Sequence, residues 1–120
     1  MTKRNVVHIE IPAADPIKAG KFYEQLFGWK IETDTNMNYT MWEPGQAPGG
    51  GFSPLDETTK PGNVLIHVDS TDIDADLKKA ETLGGKIVRA KTEIPGIGWW
   101  GVFKDPTGNN IAVFTSLKPG

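Results

Sequence analysis

The chain contains no cysteine, which excludes disulfides, thiolate metal sites and cysteine nucleophiles. Histidine is almost as scarce: His8 and His67 are its whole supply of imidazole. Charge of either sign is not in excess. Thirteen Lys and Arg against fifteen Asp and Glu leave a net charge of −2 at pH 7, and no basic stripe appears, so nothing points to nucleic acid as a partner. Long apolar runs are missing too. No segment could span a bilayer as a helix, and the opening MTKRNVVHIEIP carries charge without the apolar core of a signal peptide. The expectation is a cytoplasmic protein with no membrane partner. What is present, 38% hydrophobic and 23% charged residues, suits a soluble globular protein. A half of about 60 residues would be marginal alone, so the 120 residues read as one compact domain, 1–120.

Two stretches of the sequence resemble each other. In NVVHIEIPAADPIKAGKFYEQLFGWKI, Val7, Ile9 and Ile11 alternate with His8 and Glu10, the period of a strand with two unlike faces. Asp15 stands as a helix N-cap with Pro16 at the first helical position. Ala19, Phe22, Tyr23, Leu26 and Phe27 follow at helical spacing as an apolar stripe, and Gly28 ends the helix. Near position 64 the pattern returns. Val64, Ile66 and Val68 alternate with Leu65, His67 and Asp69; Thr71 or Asp72 caps a helix carrying Ile73, Leu77, Ala80 and Leu83; Gly84 and Gly85 stop it. LFGWKI matches TLGGKI at an offset of 56, and Asp15 matches Asp72 at 57. Such a period marks a duplicated supersecondary unit.

The rest of the chain supplies strands and turns. Trp29 to Thr35 and Asn38 to Glu43 read as strands. PGQAPGGG, 44–51, is a loop by composition, leading into a short strand at Gly50–Pro54. Its glycines permit close backbone approach, yet they lack the lysine and helix start of a phosphate loop. Residues 55–62, LDETTKPG, form a linker between module one, 5–54, and module two, 63–116. In the second module Lys86 to Lys91 is a strand, 92–98 a loop, Trp99 to Lys104 a strand, 105–109 a hairpin turn, and Asn110 to Ser116 the last strand. The order βαβββ, twice, predicts an α+β fold.

The ordered set HIEIPAADPIKAGKFYEQLFGWKI, DIDADLKKAETLGGKIV and EIPGIGWWGVFKDPTGNNIAVF resembles the vicinal oxygen chelate superfamily, the group of glyoxalase I, bleomycin-resistance proteins and extradiol dioxygenases. The resemblance covers nearly the whole chain. It implies two βαβββ modules whose strands curl around a shared cleft with the helices outside, and, in many members, a homodimer. Fold alone does not choose among that superfamily's chemistries.

With Val7, Ile9 and Ile11 under the helix, His8 and Glu10 face the cleft, and Leu65, His67 and Asp69 face it from the second module. His8, Glu10, His67 and Asp69 are therefore the candidate catalytic residues, able to bind a divalent metal or to act as acid and base. Metal-dependent relatives take ligands from the first and last strands of each module. His8 fills the first of these positions. Its counterpart in the repeat is Leu65, which cannot ligate, and His67 lies about 7 Å further along the strand at a rise near 3.4 Å per residue. In GNNIAVF, Ala112 holds the slot usually occupied by glutamate, and GGGFSP in module one offers neither carboxylate nor imidazole. The expectation is no metal, no cofactor and no ordinary lactoylglutathione lyase activity. The alternative is a non-standard His/carboxylate site, with Zn, Ni, Fe or Mn or without metal, serving a lyase, isomerase or dioxygenase. Of Trp99 and Trp100, which point to opposite faces, one lines the cleft, and Phe114 shares the face of Ala112. His8, His67, Trp99, Trp100 and Phe114 are thus the candidate ligand contacts for a small aromatic or planar molecule. The competing assignment makes the rings a plug or a dimer contact. Asp72, Asp74 and Asp76 read as complements to a helix dipole.

Overall fold

A computed structural model describes residues 3–57 and 59–117. They cluster into two compact units, one of residues 7–66 and one of residues 67–117 joined by 3–6. Position 58 of the expected linker lies outside the described residues, as do positions 1, 2 and 118–120 of the expected 1–120 domain. Within the described part of the linker, Thr59 is buried and its hydroxyl donates to the Pro54 carbonyl at 2.8 Å.

Module one runs β1 (Val6–Pro12), α1 (Pro16–Phe27), β2 (Lys30–Asp34), β3 (Tyr39–Glu43) and β4 (Gly49–Ser53). Asp15 caps α1 by accepting from Lys18 N at 3.0 Å, and Gly28 ends it in the left-handed region at φ 73°, where the absence of a Cβ removes the steric cost. The strand order is β2-β3-β4-β1, with β1 parallel to β4 and the other pairs antiparallel. Register sets the faces. Ile9 lies beside Gly50 and Ile11 beside Phe52 on the α1 side, whereas His8 and Glu10 lie beside Gly49 and Gly51 on the other.

The α1 stripe is wider than the sheet can cover. Phe22, Leu26 and Phe27 are each more than half exposed, and the buried residue of the helix is Gly20. A Cβ there would stand 2.8 Å from Ile31 Cγ2, so the glycine brings helix and strand together. The helix-side space is filled by rings. Tyr23 stacks on Trp29 (centroids 5.2 Å apart) and on Phe52 (5.9 Å), and Trp29 stacks on Trp42 (4.4 Å).

Module two repeats the order: β5 (Leu65–Asp69), α2 (Ile73–Thr82), β6 (Lys86–Ile94), β7 (Gly98–Lys104) and β8 (Asn110–Ser116). Asp72 is the N-cap, accepting from Ala75 N at 3.1 Å. The helix is shorter than the apolar pattern implies. It ends at Thr82, and Leu83 at its C-cap is exposed. The strand order is β5-β8-β7-β6, with β5 parallel to β8. Ile73, Leu77 and Val113 form the core, with Trp99 and Phe103 packed against it. The loop expected over 92–98 is shorter than its composition suggests. β6 continues to Ile94 through two register shifts, pairing Thr92 with Trp100 and Glu93 with Trp99, because a bulge absorbs extra residues without ending the ladder. At 105–109 the expected turn forms, with Asp105 accepting from Thr107 N and Asn109 N.

Among the described residues, eight strands and two helices make the mixed α+β fold expected from the order of elements. No helix among the described residues is long and apolar enough to cross a membrane.

Candidate functional site

The candidate residues fall into two groups, each within one module and each on the face of its sheet turned away from the helix. In module one β1 places His8 and Glu10 two residues apart on that face. The structure brings them together with a third side chain, Tyr39, the first residue of β3. The Tyr39 hydroxyl donates to Glu10 Oε2, and His8 Nε2 lies against the same oxygen and 3.1 Å from the Tyr39 hydroxyl. A carboxylate accepts only, so His8 Nε2 is the donor in its contact with Glu10. Burial pushes the Tyr39 pKa well above its ordinary value, and the charge and hydrogen bond of Glu10 push it the same way. The phenol is thereby held as a neutral donor. A neutral donor, a carboxylate and an imidazole in mutual contact can move a proton to or from a bound molecule.

The reason Tyr39 reaches Glu10 lies in the glycine run. A Cβ at Gly51 would stand 1.8 Å from the Tyr39 hydroxyl oxygen, and one at Gly50 would stand 1.8 Å from the Ile9 carbonyl. The close approach that these glycines permit is made by the chain itself. In the sequence Tyr39 is no more than a residue of the strand expected over Asn38 to Glu43. The signal that could have found it is a tyrosine on a strand antiparallel to one that opens with three glycines.

In module two the helix-free face carries His67, Ala112, Trp100 and Phe114 as neighbours in register: His67 beside Ala112, and Trp100 beside Phe114. His67 is buried at 5% exposure. Its ring is nearly parallel to that of Trp100, with centroids 6.0 Å apart and planes 14° apart. The Arg89 guanidinium lies 4.8 Å from the same ring. Arg89 sits on β6, to the other side of β7 from His67, so the indole has an imidazole on one flank and a cation on the other, an attractive arrangement for an electron-rich ring. Arg89 carried no expectation from the sequence, because the bulges in β6 obscure which face it takes. Trp99 points to the helix side and packs on the core with Lys91 Nζ 5.0 Å from its ring, so the tandem tryptophans divide between the faces. Asp69 lies exposed at the end of β5, two residues beyond His67.

The residues at the inherited metal-ligand positions do not fit a metal. Of those positions His8 alone offers a ligand. Leu65 and Ala112 are buried hydrocarbon, and the space that a side chain at Gly51 would need is filled by the Tyr39 phenol. Among the described residues no three His, Asp or Glu side chains group as a metal would require.

Comparison with known proteins gives a consistent result. A family model described as "Glyoxalase-like domain" matches residues 7–114. The putative glyoxylase CFP32 of Mycobacterium tuberculosis is 30% identical over 113 residues, covering 92% of this chain and 42% of that protein. A glyoxylase-like domain-containing protein of Didymella fabae is 31% identical over 121 residues, covering 93% of this chain and 92% of that protein. The chain thus spans less than half the length of the mycobacterial relative. Among solved structures, a glyoxalase/bleomycin resistance protein/dioxygenase superfamily member from Vibrio splendidus superimposes with a TM-score of 0.66 at 15% identity, covering 95% of this chain and all of that one. That likeness speaks for the fold.

Proposed function

The chain belongs to the glyoxalase-like domain family, and from that premise we propose that it binds a small planar or aromatic molecule without a resident metal. One observation carries the proposal: the parallel His67–Trp100 pair, with Arg89 beside the indole, on the helix-free face of module two. A flat ligand gains area against Trp100 and Phe114, and its polar edge meets the imidazole and the guanidinium. Apolar rings with a few placed polar groups are the usual composition of a small-molecule site. His8 is the corresponding polar contact in module one. The absence of a metal is supported by Leu65, Ala112 and the filled position beside Gly51.

A thermal-shift screen with planar aromatic compounds tests the reading. A ligand at 100 times its Kd stabilises by about 2.7 kcal/mol, and Trp100→Ala is expected to abolish the shift. No shift across a broad panel contradicts the proposal.

A second reading is favoured by the His8–Glu10–Tyr39 cluster. In it the protein is a lyase or isomerase working by metal-free proton transfer, with Glu10 as base and Tyr39 as donor to a developing oxyanion. It is tested by exchange of solvent deuterium into carbonyl compounds bearing an acidic C–H. Exchange lost in Glu10→Gln and Tyr39→Phe supports this reading, and exchange equal to that of buffer contradicts it.

A further inference from the structure

The repeat lets each module serve as a reference for the other, and one difference between them leaves a cavity in module two. Counted from the N-cap, Tyr23 of α1 corresponds to Ala80 of α2. Counted from the C-terminal glycines, Phe27 corresponds to Leu83 and Trp29 to Gly85. Strand register gives two more pairs. Ile31 pairs with Trp42 as Ile87 pairs with Phe103, and Ile11 pairs with Phe52 as Val68 pairs with Val113. Module one fills the space under its helix with Tyr23, Trp29, Trp42 and Phe52, and Phe27, more than half exposed, covers its rim against Tyr23 and Trp29. Module two has Ala80, Leu83, Gly85, Phe103 and Val113 there, and those five residues line a cavity of about 380 Å³. That volume lies within the range of small-molecule sites, roughly 300–1,000 Å³.

The backbone keeps this space open. A Cβ at Gly85 would stand 2.7 Å from the Lys104 carbonyl and 3.1 Å from that of Ala80, so a side chain cannot be added there without moving main chain. The cavity lies on the α2 side of the sheet, opposite His67 and Trp100, and is a separate place from the site described above. Its charged lining is not symmetric in what it can offer. Asp105 accepts from Thr107 and Asn109 on its Oδ1 alone. Asp76 takes both Arg4 Nη1 and the Ser70 hydroxyl on one oxygen, at 2.6 Å each. Arg4 is thus clamped at the cavity with donors to spare, and Lys79 stands on α2 three residues from Asp76.

We propose that this cavity is a second ligand site, and that its ligand is an aromatic carboxylate of one or two fused rings. The rings take the place that Tyr23 and Trp29 occupy in module one, lying on Phe103 between Ala80 and Val113. The carboxylate takes the free donors of Arg4 and the ammonium of Lys79, a charge-assisted pairing suited to a guanidinium fork. This goes beyond the proposed function, which concerns the other face and different residues.

The test is an amide-resolved NMR titration of the full chain with 2-naphthoate. Saturable shifts are expected at Ala80, Leu83, Gly85, Phe103 and Val113. Ala80→Tyr, which restores the ring of module one, is expected to weaken binding by at least about tenfold, equivalent to about 1.4 kcal/mol. Arg4→Ala and Lys79→Ala are expected to weaken 2-naphthoate while leaving neutral 2-naphthamide unchanged. They carry the test should Ala80→Tyr fail to fold. Trp100→Ala is expected to leave these shifts intact, which separates this site from the one above. Shifts confined to the neighbourhood of Trp100, no saturable shift, or equal loss of naphthoate and naphthamide in the Arg4 and Lys79 variants would overturn the proposal.

Discussion

Module one closes the space between its helix and its sheet with stacked rings, and module two leaves the same space lined by smaller side chains. On the opposite faces the contrast reverses in kind. Module one holds a hydrogen-bonded polar cluster, His8–Glu10–Tyr39, and module two an aromatic pair, His67–Trp100. Both modules keep an aspartate N-cap, the same strand order and the same parallel pairing of first and last strands. A backbone unit of this kind is therefore specified by capping residues and register, while the side chains filling its two faces are free to diverge. The divergence is where function can be sought.

The contrast can be broken or sharpened by substitution. The largest effect is expected from Gly50→Ala, whose Cβ would meet the Ile9 carbonyl at 1.8 Å and the Trp42 ring at 2.5 Å. Backbone must move, and a loss of more than about 4 kcal/mol is expected, read as failure to give a cooperative urea transition. Next is the matched pair Phe52→Ala and Val113→Ala. Phe52 is 1% exposed and Val113 3%. Removing the phenyl group is expected to cost about 3–5 kcal/mol, and removing two methyl groups beside an existing cavity about 1.6 kcal/mol at roughly 0.8 each. Equal costs would show that module two is packed as tightly as module one.

Tyr39→Phe leaves Glu10 without one donor and is expected to cost about 1–3 kcal/mol. Its pH dependence is a sharper readout. The Tyr39 pKa is raised in the fold, so the folded phenol keeps its proton where the unfolded one loses it. Stability is then complete below about pH 10 and falls as pH rises above it; Tyr39→Phe is expected to remove that part of the slope. The smallest effect is at Asp76. Burial opposes its ionisation, but the hydrogen bonds from Arg4 and Ser70 outweigh it and hold the pKa below its ordinary value. A depressed carboxylate stabilises the fold above the unfolded pKa near 3.8, and that contribution is lost as pH falls through the folded value. The pair is partly exposed, so the loss is expected to stay below about 1 kcal/mol. Acid titration of Asp76→Asn against the parent chain measures it.

Much of the fold is legible in the residues. Asp15, Gly28, Asp72 and Gly84 are local signals, because a cap needs only its own few neighbours, and the repeat that they mark gives the order of elements. The α1 stripe misleads, since periodicity reports which residues are apolar and not how wide a sheet lies beneath them. Gly20, not Phe22 or Leu26, makes the contact. The extent of β6 is hidden by bulges, which leave no mark in composition. In the site, alternation along one strand is enough to pair His8 with Glu10 and to part Trp99 from Trp100. Tyr39 and Arg89 are not readable in this way. Each reaches its partners across neighbouring strands, and the register that brings them there depends on pairing between residues far apart in the chain.

The proposed metal-free site rests on Leu65 and Ala112 being buried hydrocarbon and on Tyr39 standing where a side chain at Gly51 would be. Elemental analysis of protein purified without a metal-binding tag, from cells supplied with Zn, Ni, Fe and Mn, tests this most directly. None of the four is expected to be retained in stoichiometric amount. One ion per chain, lost on replacement of His8, would contradict the proposal.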